Sequence, residues 1–153
     1  IVASYTNHKY DALDFAEIAP EFGTRDDFKE LAERTHELGM KLVLDGVFNH
    51  MGRNSARFKD AEANPESEYR DWFYFGDQYQ SGARCWWLAE NLPEINLENP
   101  KVRKHVYAGK NSAVRGYLRD GVDGWRLDVA MDIGMKWLTE LTAAAHRGIS
   151  EPR

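Results

Sequence analysis

The sequence GWRLDVAMD, residues 124–132, places two charged side chains, Arg126 and Asp128, inside a short apolar run. A fully buried strand carries charge only where the charge is paired and used. Residues two apart in a strand point to the same face, so Arg126 and Asp128 are expected to lie side by side. A guanidinium beside a carboxylate favours the ionised form of that carboxylate. The stretch therefore predicts either a structural ion pair or an ionised aspartate that acts as a nucleophile or metal ligand.

Helices and short apolar strands alternate on either side of a long irregular segment, residues 51–99. This order is typical of an α/β fold with parallel strands, in which ligands bind at the carboxyl ends of the strands. A loop as long as 51–99 inside a compact domain is usually functional. The predicted elements are a helix from Thr24 or Arg25 to Gly39, a strand at 41–45, a helix at 101–119, a strand at 124–129 and a helix at 133–146.

The composition is that of a globular protein, with 153 residues, 42% apolar and 29% charged. The net charge of -5 disfavours a general binder of nucleic acid or of anionic membranes, and no apolar run reaches membrane-spanning length. Cys85 is the one cysteine, so no internal disulfide can form, which fits a reducing compartment. A cytoplasmic location is expected, with secretion left open because the chain opens at Ile1 without a methionine.

Four motifs, in order, resemble those of the alpha-amylase superfamily, whose members act on α-linked glucans with a (β/α)8 barrel. DGVFNH at 45–50 resembles the motif at the end of the third barrel strand, and GWRLDVAMD resembles the fourth-strand motif. HKYD at 8–11 is similar to the segment after the second strand, and LPEIN at 92–96 to a motif late in the inserted domain. The group of cyclomaltodextrinases, neopullulanases and maltodextrin glucosidases is the most similar.

The resemblance implies an α/β fold that is part of a TIM barrel, with its third and fourth strands and helices. Residues 1–50 and 100–153 would form the partial catalytic barrel, and 51–99 the inserted irregular domain. The family's general acid/base is a glutamate on the fifth strand, which this chain is expected to lack. Glu151 is not assigned that role, because no strand pattern precedes it. The chain is expected to be a fragment of a longer enzyme, marginally stable on its own and inactive because the general acid is missing.

The same resemblance implies that the chain carries the nucleophile. Asp128 would attack the anomeric carbon in a retaining mechanism, with a second carboxyl group roughly 5–5.5 Å away as the acid. Arg126 would keep Asp128 ionised and would bond Asp45, a structural residue. Asn49 is the family position that often binds calcium, an ion that prefers oxygen ligands. The substrate-binding residues implied are His8, Tyr10, His50, Trp86 and Trp87, with Tyr74 and Phe75 as further stacking candidates; packing of the inserted segment is the alternative for the rings at 74, 75, 86 and 87.

The predicted function is hydrolysis of α-glucosidic bonds in maltooligosaccharides, cyclodextrins or starch-derived glucans. A glucan transglycosylase of the same superfamily is the main alternative, and Met131 stands where this group commonly has a polar residue that shapes acceptor binding. A non-catalytic scaffold relative is less favoured, since the motif residues are in place. A metal-dependent hydrolase built on Asp45, His50 and Asp128 would lack the close histidine pairs of zinc sites. The expected partner is an α-glucan oligosaccharide, and a homodimer is one expected state of the full-length enzyme.

Overall fold

The computed structural model describes residues 1–150, so Glu151 and the end of the expected 100–153 segment lie outside the described part. The chain opens with an irregular loop that short antiparallel bridges hold together. A single 3₁₀ turn, Pro20–Phe22, ends this loop.

The first helix, α1 (Arg25–Glu37), is defined at both ends by its sequence. At its start, the Thr24 side chain accepts a hydrogen bond from the Asp27 amide, and the Asp27 carboxylate accepts one from the Thr24 amide. After its end, Gly39 adopts a φ of 71°, a left-handed conformation that suits glycine. The helix expected between Thr24 and Gly39 is confirmed.

Two strands form the sheet, β1 (Val43–Gly46) and β2 (Gly124–Leu127), and they pair in parallel. The register places Asp45 directly opposite Arg126. The parallel α/β arrangement is therefore confirmed, although β2 ends before the expected residue 129. It ends there because Val129 adopts a left-handed conformation, with φ 50° and ψ 36°, that turns the chain out of the strand.

Between the strands, the segment 51–99 is mostly irregular but contains a helix that the sequence analysis missed. This helix, α2 (Ala56–Ala63), begins after Ser55, whose hydroxyl accepts a hydrogen bond from the Phe58 amide. A 3₁₀ turn, Arg70–Trp72, follows. Phe58 is fully buried in the same hydrophobic core as the strands, so the segment packs against the rest of the chain.

The prediction of one continuous helix at 101–119 is wrong. The structure has α3 (Pro100–Arg103), a π-helical turn (Lys104–Ala108) and then α4 (Ala113–Arg119). The break occurs because Gly109 is extended, with φ -72° and ψ 150°. Ser112 then caps a new helix by accepting a hydrogen bond from the Arg115 amide.

After β2, a short helix, α5 (Ala130–Ile133), leads through Gly134 into α6 (Met135–Ile149). The helix expected at 133–146 is present, but it starts and ends later because Gly134 has a φ of 90° and separates it from α5. Among residues 1–150, none of the helices combines the length and apolar character that a membrane span requires.

One hydrophobic core joins the loop, the helices and one face of the sheet, with Leu44, Phe48 and Tyr117 among its members. The other face of the sheet is uncovered. Asp45 and Arg126 lie on that face, at the carboxyl ends of their strands. The fold thus buries one side of two short strands and presents the charged pair on the other.

At the opposite end of the strands, Asp123 fastens β2 to the residue before β1. The Asp123 Oδ2 atom accepts a hydrogen bond from the Leu42 amide at 2.9 Å and pairs with His36 Nε2 at 2.7 Å. Its Oδ1 atom accepts a hydrogen bond from Lys41 Nζ at 3.3 Å. Burial opposes the ionisation of this group, but the bonds from Leu42, His36 and Lys41 lower the pKa of Asp123 from 3.8 to about 2.

Asp123→Ala is expected to reduce the free energy of unfolding at pH 7 by about 1–3 kcal/mol, because it leaves the Leu42 amide and His36 without their acceptor. The pKa of Asp123 is lower in the folded than in the unfolded chain, so this stabilisation is complete above about pH 4 and disappears as the pH falls towards 2. Urea unfolding between pH 7 and 2 measures the difference, with Asp77→Ala on an exposed turn as the matched control. A difference that does not shrink below pH 4 would contradict this account.

Candidate active site

Arg126 joins the two strands at the centre of the candidate site. Its Nη1 donates hydrogen bonds to both Asp45 oxygens, at 2.9 and 3.1 Å, and to Asp128 Oδ1 at 2.7 Å. These hydrogen bonds raise the pKa of Arg126 above its ordinary value, and the bonds with Asp45 have the largest effect. The guanidinium therefore stays charged. We call this group of three, Asp45, Arg126 and Asp128, the clamp. The contacts expected between Arg126 and the two aspartates are present.

Asp128 is held by its backbone as well as by Arg126. Its amide donates a hydrogen bond to the Gly46 carbonyl at 3.1 Å, which extends the strand pairing by one residue. The next residue, Val129, is β-branched and yet left-handed, a conformation that is costly for such a residue. This turn takes the chain out of the sheet directly after Asp128. The Asp128 side chain is 16% exposed.

The loop before α1 brings Tyr10 and His8 to the clamp. The Tyr10 hydroxyl lies 3.4 Å from Asp45 Oδ2, at the long end of hydrogen bonding. His8 stacks on Tyr10 with ring centroids 5.9 Å apart, and its Nδ1 accepts a hydrogen bond from the Tyr10 amide at 3.1 Å. Both side chains are exposed, so both rings can meet a ligand at the uncovered face.

His50 lies beneath the site and is only 1% exposed. Burial lowers the pKa of His50 below its ordinary value, although the Tyr10 carbonyl and the charges of Asp128 and Asp11 act in the opposite direction. The neutral ring carries its proton on Nε2, because that nitrogen lies 3.1 Å from the Tyr10 carbonyl oxygen, which can only accept. Nδ1 then accepts a hydrogen bond from Asn49 Nδ2 at 3.3 Å. A sugar hydroxyl that binds His50 would replace one of these two bonds.

Two tryptophan rings stack in a row that begins at His50. Trp86 stacks on His50 with centroids 5.8 Å apart, and Trp87 stacks on Trp86 at 6.3 Å, with interplanar angles of 26° and 28°. We call this row His50–Trp86–Trp87 the ring ladder. Its outer member, Trp87, is 84% exposed. The structure thus brings both tryptophans, from the segment 51–99, into one row with His50.

Comparison with known proteins identifies the family. The sequence-family model described as the alpha-amylase catalytic domain matches residues 1–148 of this chain. The chain belongs to the alpha-amylase family. Two of the motifs that carried the resemblance, at 45–50 and 124–132, supply the three residues of the clamp and His50 of the ring ladder.

Individual relatives lie in the subgroup that the motifs resemble. Neopullulanase 2 of Thermoactinomyces vulgaris is 34% identical over 143 residues, which are 87% of this chain and 23% of that protein. A cyclomaltodextrinase of a Bacillus species is 37% identical over 147 residues, 88% of this chain and 25% of that protein. This alpha-amylase family chain therefore spans about a quarter of the length of the curated relatives it matches.

Solved structures of the family agree with the fold. A cyclomaltodextrinase superposes with a TM-score of 0.87 at 34% identity, covering 97% of this chain and 26% of that one. The cyclic alpha-maltosyl-(1→6)-maltose hydrolase of Arthrobacter globiformis gives a TM-score of 0.87 at 33% identity, covering 96% and 34%. The family fold implied by these neighbours is the (β/α)8 barrel, and residues 1–150 contribute a two-stranded parallel sheet.

Asn49 is the residue at which a calcium ion is expected. Within residues 1–150, no three or more histidine, cysteine, aspartate or glutamate side chains are grouped to hold a metal. The Asn49 side chain is buried, and its amide nitrogen is occupied with His50. Calcium takes six to eight oxygen ligands, and the Asn49 side-chain oxygen would be one of them. The ion is therefore assigned no step below, and calcium binding at Asn49 stays a prediction.

Tyr74 and Phe75, the other two stacking candidates, lie outside the site described above. The Arg84 guanidinium covers the Tyr74 ring, 3.7 Å from its centroid, and that of Arg70 covers Phe75 at the same distance. Phe75 also stacks on Phe58 in the core, with centroids 5.6 Å apart. For these two rings the structure favours packing within the segment 51–99 over contact with a glucan.

Two aspartates of the site were missed by the sequence analysis. Asp11 is 2% exposed, and its Oδ1 accepts hydrogen bonds from the Thr6 amide at 3.1 Å and the Thr6 hydroxyl at 2.7 Å, which fixes the turn that carries Tyr10. Asp132 Oδ2 accepts a hydrogen bond from Trp86 Nε1 at 3.1 Å. Both lie within the quoted motifs, but an aspartate in a turn or in a first helical turn ordinarily bonds its own backbone. Residue type therefore gave no signal for these contacts.

Proposed function

We propose that this chain provides the nucleophile and part of the sugar site for hydrolysis of α-glucosidic bonds in maltooligosaccharides, cyclodextrins or starch-derived glucans. The observation that carries the proposal is the 2.7 Å bond between Arg126 and Asp128 at the carboxyl end of β2, beside Asp45. The relatives' names, neopullulanase and cyclomaltodextrinase, support this class of substrate.

The clamp suits a double displacement with retention of configuration. In the first step, an Asp128 carboxylate oxygen bonds to the anomeric carbon as the bond to the leaving sugar oxygen breaks, and a general acid protonates that oxygen. In the second step, water attacks the anomeric carbon, gives a proton to the same residue, and Asp128 leaves as a carboxylate. Two carboxylates and one guanidinium leave the clamp with a net negative charge, which stabilises an oxocarbenium-like transition state.

The general acid is assigned to a carboxyl group outside the described residues. Asp45 is the other carboxylate on the Arg126 guanidinium, and its oxygens are bonded to Arg126 and close to Tyr10. An acid must instead hold a proton and deliver it to the leaving oxygen. We therefore keep Asp45 as a structural residue that aims Arg126.

The sugar contacts follow from the rings around the clamp. Tyr10 would stack against the reacting ring and His8 would bond its hydroxyls, because both are exposed beside Asp45. His50 would contribute by exchanging one of its internal bonds for a sugar hydroxyl. Trp86 and Trp87 would take the flat faces of further glucosyl rings, as aromatic rings do at carbohydrate sites.

The two strands would be the third and fourth of the family's barrel. Their parallel register and the uncovered face that carries Asp45 and Arg126 support this placement, since the inner face of a barrel is covered only when all strands are present. Residues 1–50 and 100–153 would then be barrel, and 51–99 the inserted domain. A cytoplasmic location and a homodimer stay predictions.

Transfer of the glycosyl group to a sugar is the second candidate reaction. It shares the Asp128 intermediate and differs only in the acceptor. Two exposed apolar side chains favour it, Trp87 at 84% and Met131 at 88% exposure. They are the sequence neighbours of Trp86 and Asp132, which are bonded to each other, and exposed apolar surface there would bind a sugar acceptor better than water.

Comparison of α-maltosyl fluoride with maltotriose and β-cyclodextrin tests the proposal. Fluoride leaves without a proton, so Asp128 alone suffices, whereas a glycosidic oxygen needs the acid, which contributes about 10²–10⁴-fold. The 153-residue chain, shown to be folded by a cooperative melt, is expected to release fluoride while turnover of the sugars is at least about 100-fold lower. Equal rates would place the acid within the chain, and no fluoride release would contradict the proposal. In an enzyme that also supplies the base for the second step, added maltose distinguishes transfer, which gives longer oligosaccharides, from hydrolysis.

A further inference from the structure

A single hydrogen bond ties the ring ladder to the turn that follows the clamp. The Trp86 indole nitrogen donates to Asp132 Oδ2 at 3.1 Å. Trp86 belongs to the segment 51–99, whereas Asp132 lies in α5, which follows β2 after Asp128 and Val129. The bond therefore joins two parts of the chain that are 46 residues apart in the sequence.

Stacking alone does not fix the orientation of Trp86. The contacts with His50 and Trp87 hold the indole between two rings, but a stacked ring can slide and rotate in its own plane at small cost. A hydrogen bond from the ring edge is directional and fixes that rotation. The acceptor is a carboxylate, and such charge-assisted bonds are stronger than neutral ones.

We propose that Asp132 is a positioning residue that sets the Trp86 ring for glucan binding. It orients the indole so that the ring ladder runs from buried His50 to exposed Trp87. This inference rests on the proposed function for its sugar, an α-1,4-linked maltooligosaccharide, and extends it to Asp132, which is bonded to Trp86.

Three substitutions separate the contribution of the hydrogen bond to glucan binding from the contributions of the aromatic ring and of the carboxylate charge. Asp132→Leu keeps the side-chain size but removes the acceptor, and Trp86→Phe keeps an aromatic ring but removes the donor. Each is expected to weaken maltoheptaose binding about 3- to 10-fold, and the double variant no more than that, because both remove the same bond. Asp132→Asn retains an acceptor oxygen and is expected to stay within about twofold of the parent chain.

Calorimetry with maltoheptaose measures the affinities, with Asp77→Leu as the matched exposed control. Additive losses in the double variant would contradict the proposal, as would an Asp132→Leu chain that binds like the parent. Failure of Asp132→Asn to retain binding would equally count against a role as acceptor.

Exchange of the indole proton provides a readout that needs no sugar. The Trp86 Nε1–H signal in a ¹⁵N spectrum is assigned by its loss in Trp86→Phe. Its exchange with water is expected to be several-fold faster in Asp132→Leu and unchanged in Asp132→Asn and Asp77→Leu. Equal exchange in the parent and Asp132→Leu would overturn the proposal. If the parent chain binds no maltoheptaose, the proposed function fails, while this exchange still decides whether Asp132 holds Trp86.

Discussion

Asp128→Asn is expected to lower fluoride release from α-maltosyl fluoride by about 10⁴-fold or more, because it removes the nucleophile. Asparagine has nearly the same shape and keeps an oxygen that can accept the hydrogen bond from Arg126 Nη1, now made at 2.7 Å by Asp128 Oδ1. The fold and the uncovered face should therefore persist. The measurement is the initial rate of fluoride release, and maltoheptaose affinity should change much less than the rate.

The control for this substitution is Asp77→Asn, which makes the same chemical change on an exposed turn and should react like the parent chain. A rate for Asp128→Asn within about tenfold of the parent would show that another group attacks the anomeric carbon. Loss of the cooperative melt in Asp128→Asn would instead point to a structural ion pair, the alternative that the R-x-D pattern left open.

Arg126→Leu is expected to reduce fluoride release by about 10²–10³-fold while changing stability little. Without the guanidinium, the carboxylates of Asp45 and Asp128 face each other with no cation between them, and neither is held in place. The Arg126 side chain is 57% exposed, so solvent screens its ion pairs and they contribute little to folding.

Arg126→Lys separates charge from geometry in the same assay. Lysine restores a positive charge but cannot reproduce the rigid planar guanidinium that reaches Asp45 and Asp128 together. It should recover part of the rate lost in Arg126→Leu. Full activity of Arg126→Leu, measured with an unchanged melting midpoint, would contradict the role given to the clamp.

The parts of the fold that depend on local chemistry could be predicted from the sequence. Thr24, Asp27 and Gly39 delimit α1 through their own hydrogen bonds and dihedral angle, so their types suffice. The helix at 101–119 was misjudged because its apolar spacing continues across Gly109. The extended backbone of that residue and the cap at Ser112 divide it, a choice set by packing rather than periodicity.

In the candidate site too, contacts between residues close in sequence could be predicted, and contacts between distant residues could not. Arg126 and Asp128 are two residues apart on one strand, so their contact follows from strand geometry alone. The bond of Trp86 with Asp132 joins residues 46 apart, and the burial of His50 depends on Trp86 and on the Tyr10 loop. Such contacts depend on the tertiary fold, which periodicity and residue type do not describe.

The most direct test of the central claim is mass spectrometry of the parent chain after reaction with α-maltosyl fluoride. The second step needs a base to activate water, and the described residues are assigned none, so the maltosyl ester should accumulate on the nucleophile. The account predicts a mass increase of one maltosyl group, located by peptide mapping at Asp128 and absent from Asp128→Asn. A maltosyl group on Asp45 or on another residue would contradict it. So would a parent chain that carries no maltosyl group and releases fluoride at the same rate as Asp128→Asn.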